Sequence, residues 1–245
     1  MIKKVEAKLI RFFHVFMYMM VCSTFYVPYF IAKSFFVKVT IEGKDNLPKK
    51  GRFILAANHQ NFYDGFLVSF LYSPLKIIHP IIARRALKPK FFELLAESID
   101  AVILDDGIEA YQRALKKLNK VLMHGGVVTI FPEGGVSNSS TPKRFKGGVA
   151  KLSIDSRSKV VPIHISGTYN LRALKFWFKN PEVKIIIGKP IELYRYADEY
   201  NNDLGKLASF LRDNIVALST TSQTLDFEST KQLSTNPSVN IPVET

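Results

Sequence analysis

The sequence predicts an α/β fold: one domain built on a mixed, mostly parallel sheet flanked by helices, preceded by an N-terminal membrane-associated helical segment. Three observations lead there. Short apolar runs alternate with longer segments whose apolar residues recur at helical spacing, the order of a wound sheet. The span from Phe12 to Ala32 holds no Asp, Glu, Lys or Arg, and it exceeds the roughly 18 residues that mark a membrane candidate. From Ser219 onward Ser, Thr, Asn and Pro dominate and large apolar residues are few, the composition of a chain that buries too little to fold. The organisation expected is therefore an anchor over residues 1–36, a domain over 37–218 and a disordered tail over 219–245.

At 245 residues and 47% hydrophobic the chain can enclose one substantial core. Its formal charge of +13 favours acidic partners: nucleic acid, anionic headgroups or phosphorylated substrates. Cys22 is the single cysteine, which excludes an internal disulfide and fits a reducing compartment. It lies inside the apolar span and reads as packing. The 5 histidines lack metal-ligand spacing, so no metal is expected.

The uncharged span is preceded by Lys3, Lys4, Lys8 and Arg11 and followed by Lys33 and Lys38, which sets no orientation under the positive-inside rule. Pro28 interrupts it, and Ser23 and Thr24 sit at its middle. An interfacial or re-entrant hairpin suits this composition as well as a straight crossing. A cleaved signal peptide fits less well, because Ala32 runs directly into Lys33 with no small-x-small site.

In the domain, Val37–Ile41 alternates as a strand does, and Asn46-Leu47-Pro48 is a turn. Phe53–Ala57 is a buried strand, followed by a helix over Phe66–Tyr72. Lys76–Ala83 is β-rich, Lys90–Ser98 a short helix and Ala101–Leu104 a brief strand. Ile108–His124 carries Tyr111, Leu115, Leu118 and Leu122 at helical spacing. Strand Val127–Phe131, a Gly/Ser/Thr-rich loop, helix Gly147–Ser156 and strands Val160–Ile165 and Val183–Ile187 follow. An amphipathic helix over Leu204–Leu218 closes the domain.

The Phe53–Ala57 strand delivers Asn58-His59-Gln60-Asn61-Phe62-Tyr63-Asp64-Gly65 into a turn. On a continuous helix His59 and Asp64 would sit about 140° apart; an irregular turn can bring them together. A carboxylate at one imidazole nitrogen then leaves the other free to accept a proton. The plainer reading makes His59 a structural histidine and Asp64 a helix cap. Phe131-Pro132-Glu133-Gly134-Gly135 ends a second strand in the same way. If the two strands are parallel neighbours, both turns reach one edge of the sheet, where α/β sites form. The glycines let backbone N–H groups approach a ligand, and Glu133 can hold a hydroxyl or brace the loop; an ordinary turn also uses Pro and Gly. Lys143-Arg144-Phe145-Lys146-Gly147-Gly148 places cations where a helix begins, which is either a phosphate site or a solvated charge cluster.

Asn58 with His59-x4-Asp64, followed by Phe131–Gly135, resembles the glycerolipid acyltransferase family, which includes the lysophosphatidate acyltransferases. Val160-Val161-Pro162-Ile163 is similar to the family's late Val-Pro strand, and Phe145-Lys146-Gly147-Gly148 to its basic-Gly segment. The likeness runs from about Val37 to Leu193. It implies that His59 is a general base, that Asp64 orients it, and that a hydroxyl attacks an acyl thioester directly. It also implies substrate-binding roles for Asn58, Glu133, Gly134, Gly135, Arg144, Lys146 and Arg84. No cofactor is implied; acyl-CoA or an acyl carrier protein is the co-substrate, a lysophospholipid the acceptor, and the cytoplasmic face of a membrane the location. Direct attack has independent support: Cys22 is in the anchor, and Gly135-Val136-Ser137-Asn138-Ser139 misses the last Gly of a nucleophile elbow.

The chain departs from the pattern at two cations. Where the family's second motif ends in arginine stands Asp106, and where its Glu-Gly motif continues as Thr-Arg stands Gly135-Val136. Either Arg144, Lys146, or Arg84 and Arg85 substitute, or the acceptor is not a phosphomonoester. The Phe131–Ser140 stretch is also somewhat like tafazzin, which moves acyl chains between phospholipids and lysophospholipids. A basic nucleic-acid-binding protein is the rival outside enzymes. It leaves the Phe12–Ala32 span unexplained, and RNA-binding signatures are absent, so no nucleic-acid partner is expected.

Overall fold

Phe53-Ile54-Leu55-Ala56-Ala57 is fully buried because it is a central strand with both faces covered, so either side of its two-residue alternation meets apolar neighbours. The structure, a computed structural model, describes residues 37–72, 78–88, 100–137, 141–169 and 181–234, with Glu93, Ala96, Glu97 and Ser139 besides. The strands are β1 (Lys38–Glu42), β2 (Phe53–Ala57), β3 (Ile78–Ala83), β4 (Val102–Leu104), β5 (Val127–Ile130), β6 (Lys159–Ser166) and β7 (Glu182–Ile187). The helices are α1 (Asp64–Ser69), α2 (Ile108–Met123), α3 (Gly148–Ser156) and α4 (Leu204–Ser234).

The strands form one 7-stranded sheet in the order β1-β7-β6-β2-β5-β3-β4. All neighbours pair parallel except β6 and β7, so β1 and β7 run opposite to the rest. The mixed, mostly parallel α/β sheet expected from the sequence is the fold observed.

Ile54, Ala56, Val128, Ile130 and Val160 pack on one face with Leu115, Leu118 and Leu122 of α2, Val149 and Leu152 of α3, and Leu207, Leu211 and Ile215 of α4. The helical spacing read in α2 is this inward stripe, and Tyr111 packs at its margin. Phe53, Leu55, Ala57, Val161, Ile163, Val183 and Ile185 pack on the other face with Leu67 and Val68 of α1.

Several element boundaries differ from expectation, and two of the differences have a clear cause. The first helix begins at Asp64 and not at Phe66, because the turn that precedes it is tied to the Asp64 carboxylate. The closing helix, expected to stop at Leu218, runs on to Ser234, into the stretch assigned to a disordered tail. No Gly or Pro stands between Gly205 and Pro237, so nothing covalent ends it earlier. The Phe12–Ala32 anchor and most of Lys90–Ser98 lie outside the described residues. Among the described residues no helix is long and apolar enough to cross a membrane.

Candidate active site

The parallel pairing of β2 with β5 aligns Ala56 with Ile130. Three residues further on each strand come His59 and Glu133, at the carboxyl edge of the sheet. Their adjacency follows from register, and one bond fixes it: the His59 backbone N–H donates to Glu133 Oε1 at 2.7 Å. The other Glu133 oxygen accepts from the Lys143 N–H at 2.9 Å. Ser137 N–H reaches the His59 carbonyl at 2.7 Å, and Lys146 N–H reaches the Pro132 carbonyl at 2.8 Å. The Pro-Glu-Gly-Gly loop is therefore bonded to both the histidine turn and the basic loop.

Asn58 continues the β2–β6 pairing after the main chain turns away. Its Nδ2 donates to the Ile165 carbonyl at 2.8 Å, and its Oδ1 accepts the Ile165 N–H at 2.7 Å. The side-chain amide takes the place of a peptide group, and the turn leaves the sheet at a fixed point. Asn61 Nδ2 donates to the Thr168 carbonyl at 2.8 Å, tying the same turn to the segment after β6.

Inside this frame Asp64 Oδ2 accepts three hydrogen bonds: from Gln60 N–H at 2.6 Å, from Asn61 N–H at 2.7 Å and from His59 Nδ1 at 2.9 Å. The Asp64 side chain is 0% exposed, that of His59 17%. A carboxylate only accepts, so in the neutral ring Nδ1 carries the hydrogen and Nε2 keeps the lone pair. Phe131 stacks on the imidazole, with centroids 4.1 Å apart and planes 21° from parallel. The ring is thus held edge-on by Asp64 and face-on by Phe131, with Nε2 open to a proton.

His59 and Asp64 come together, which their spacing allows in an irregular turn and not on a helix. Of the residues assigned to substrate, Asn58 and Glu133 are each buried and spend both polar atoms on backbone partners, bonds that position the turn. Gly134 and Gly135 are exposed, and Gly134 has φ of 72°, which a Cβ disfavours. Arg84 pairs with Asp105 and Glu93, and the Asp105 contact holds that carboxyl below its usual range and raises the guanidinium further. Arg144 lies toward α4, its Nη2 3.9 Å from the Cβ position of Gly205. Lys146 and Arg85 are the cations that reach the Gly134 loop.

Two contributors are not visible in the sequence. Phe131 reads there only as the end of a strand. Arg212 of α4 donates to the carbonyls of Pro142, at 2.9 Å from Nη2, and Lys143, at 3.1 Å from Nε, so the closing helix holds the basic loop in place. Buried Phe145 pins the same loop into the core.

Residues 38–166 match a model of the acyltransferase family. The chain belongs to the acyltransferase family. Among curated relatives, the 1-acyl-sn-glycerol-3-phosphate acyltransferase of Borreliella burgdorferi is 22% identical over 74% of this chain and 68% of the relative. The enzyme of that name from Bacillus subtilis is 25% identical over 65% of this chain and 76% of the relative. The one from Saccharomyces cerevisiae is 28% identical over 73% of this chain and 58% of the relative. Among solved structures, the 1-acyl-sn-glycerophosphate (LPA) acyltransferase PlsC of Thermotoga maritima superposes with a TM-score of 0.53 at 25% identity, covering 69% of this chain and 71% of that one. The matched family segment of this acyltransferase runs from β1 to the end of β6, and so contains the His59 turn, the Pro-Glu-Gly-Gly loop and the strand that braces them.

Proposed function

We propose that this acyltransferase moves a fatty acyl group from an acyl thioester, acyl-CoA or acyl carrier protein, to the free hydroxyl of 1-acylglycerol-3-phosphate, giving phosphatidate at the cytoplasmic face of a membrane to which residues 12–32 attach it. The observation that carries the chemistry is the 2.9 Å contact between His59 Nδ1 and Asp64 Oδ2. The acceptor hydroxyl gives its proton to His59 Nε2 as its oxygen attacks the thioester carbonyl carbon. The carbonyl oxygen gains charge and a tetrahedral intermediate forms; the C–S bond then breaks and the sulfur takes the proton from the imidazolium. Asp64 stabilises the cation transiently present on His59. General-base assistance of this kind contributes roughly 10²–10⁴-fold. The relatives' names support lysophosphatidate as the acceptor.

One observation favours a second reading. Asp105 occupies Arg84, which lowers the positive field open to a phosphomonoester and suits a zwitterionic lysophospholipid acceptor with a phospholipid donor. An acceptor panel in detergent micelles separates the two, with lysophosphatidate and lysophosphatidylcholine each offered acyl-CoA or phospholipid. Acyl-CoA with lysophosphatidate is the expected best pair. His59→Ala should abolish that transfer while leaving membrane attachment intact; transfer at the wild-type rate would refute the assigned base.

A further inference from the structure

Two neighbours hold the His59 imidazole, one at its edge and one on its face. At the edge Nδ1 meets Asp64 Oδ2 at 2.9 Å. That oxygen also takes the Gln60 and Asn61 N–H groups, at 2.6 Å and 2.7 Å, so its charge is divided among three donors. Water adds little, because the His59 side chain is 17% exposed. On the face lies Phe131, with ring centroids 4.1 Å apart and planes 21° from parallel. The phenyl ring is fixed from its own main chain. Its strand β5 is paired with β2 as far as Ile130, and the Phe131 carbonyl accepts the Gly134 N–H at 3.0 Å.

While the imidazole is neutral, this stack is an ordinary aromatic contact. Once Nε2 has taken a proton, the electron-rich face of Phe131 lies against a cation, inside the roughly 6 Å within which a ring face attracts positive charge. The contact is therefore stronger after proton transfer than before it. An interaction that strengthens along the reaction lowers the barrier, whereas one that is equal throughout does not. Resting on the reading of His59 as general base, we propose that Phe131 is a positioning residue that acts through His59 in two ways. Its ring sets the plane of the imidazole, and its π face stabilises the imidazolium formed when the acceptor hydroxyl gives up its proton. The second role complements Asp64, whose carboxylate acts in the plane of the imidazole and is shared with two backbone donors. An aliphatic side chain at 131 could fill the same space and brace the ring, but it offers no negative face. Packing and charge stabilisation are thereby separable.

The test is single-turnover and steady-state kinetics of the full chain in detergent micelles, with its best donor and acceptor pair. Phe131 is replaced site-specifically by mono-, di- and trifluorophenylalanine, which withdraw electrons from the ring face at nearly constant shape. The transfer rate should fall stepwise with each added fluorine, with both KM values changed less than about twofold, because the loss is confined to the transition state. Phe131→Leu should lower kcat roughly five- to thirtyfold, the range for a desolvated cation–π contact. Phe131→Tyr, which keeps the ring, should retain most of the wild-type rate. The same fluorine series at Phe53, which stacks on Tyr72 with centroids 5.7 Å apart at the opposite end of β2, should leave kcat unchanged. Urea midpoints verify that every variant is folded. A flat fluorine series at 131, in an enzyme that His59→Ala inactivates, overturns the role of the ring face and leaves the base standing. So does a Phe131→Leu enzyme with the wild-type kcat, or a Phe53 series as steep as that at Phe131. A His59→Ala enzyme with the wild-type rate overturns the base and this inference together.

Discussion

Asp64 and Asp105 each face a basic side chain, yet they belong to two differently built regions. Asp64 is 0% exposed and its Oδ2 gathers two backbone N–H groups besides the imidazole. Asp105 is 47% exposed and meets a guanidinium that is itself 49% exposed. The first contact is set by the path of the main chain; the second is a surface pair that water and salt screen. The proposed proton transfer needs a fixed angle and distance, and bonds to the backbone supply both. Holding an anion needs a positive field within reach, and several side-chain positions can supply one. The histidine turn is thus held by its main chain, whereas the cations around it are held by side chains that water reaches.

The sharpest way to break this comparison is Asp64→Asn. The amide oxygen can take the place of Oδ2 and keep its three donors, but the substitution removes the charge that would stabilise a protonated His59 and buries an N–H₂ where Oδ1 has no partner among the described residues. A loss of roughly 10²–10⁴-fold in kcat is expected, the range for removing a group that orients a general base. Single-turnover rates measure it, and combining it with His59→Ala should cost nothing beyond the worse single variant, because the two act as a unit. An Asp64→Asn enzyme that keeps its rate within about threefold of wild type, far short of the loss a general-base partner implies, would mean that the pair is structural.

This contrast also explains what could be read from the chain. The alternation of apolar runs with helical spacing pointed to the sheet, because buried parallel strands leave no polar positions to blur the pattern. The His59–Asp64 pair was legible because its parts are five residues apart. Glu133 was placed at the right loop, but its task was ambiguous: whether a carboxylate holds substrate or two N–H groups depends on register with β2, which sequence spacing does not contain. The same holds for Asn58, whose partner Ile165 lies on β6. Arg84 and Arg85 are adjacent in sequence and opposite in fate, decided by Asp105 and Gly134. Arg212 acts on the site from the closing helix, a contact that no local motif announces.

A second buried group sharpens the argument by lacking what Asp64 has. His164 on β6 is 6% exposed, and among the described residues its Nδ1 has no hydrogen-bond partner. Burial pushes its pKa down from 6.5 to about 4, because nothing nearby compensates the loss of water around the charged form. The folded state therefore keeps His164 neutral while the unfolded chain takes up a proton below about pH 6.5. Its contribution to stability is complete above that pH and is lost as pH falls toward 4. Between pH 7 and pH 5 the loss is roughly 2 kcal/mol. Urea denaturation of wild type and His164→Leu at both pH values should show a steeper acid loss in the wild type by about that amount. Parallel slopes would mean that the imidazole finds a partner for its proton inside the fold.

The smallest effect is expected at Asp105→Asn, and its smallness is informative. Both partners of the Arg84 pair are exposed, so the urea midpoint should not move measurably. What changes is the field: with one negative charge gone and Arg84 paired to Glu93 alone, the net charge beside the segment that carries Arg85 rises by one. The KM for lysophosphatidate should fall by roughly two- to threefold at low salt, and the gain should disappear near 0.5 M salt, where the Debye length is only about 4 Å. Steady-state kinetics at the two ionic strengths measures this. If the midpoint drops by as much as a buried contact would cost, or if the KM gain persists in high salt, then Asp105 belongs with Asp64 as a structural carboxylate. The division between a backbone-fixed histidine turn and a solvent-screened cation field would then fail at the very pair that defines it.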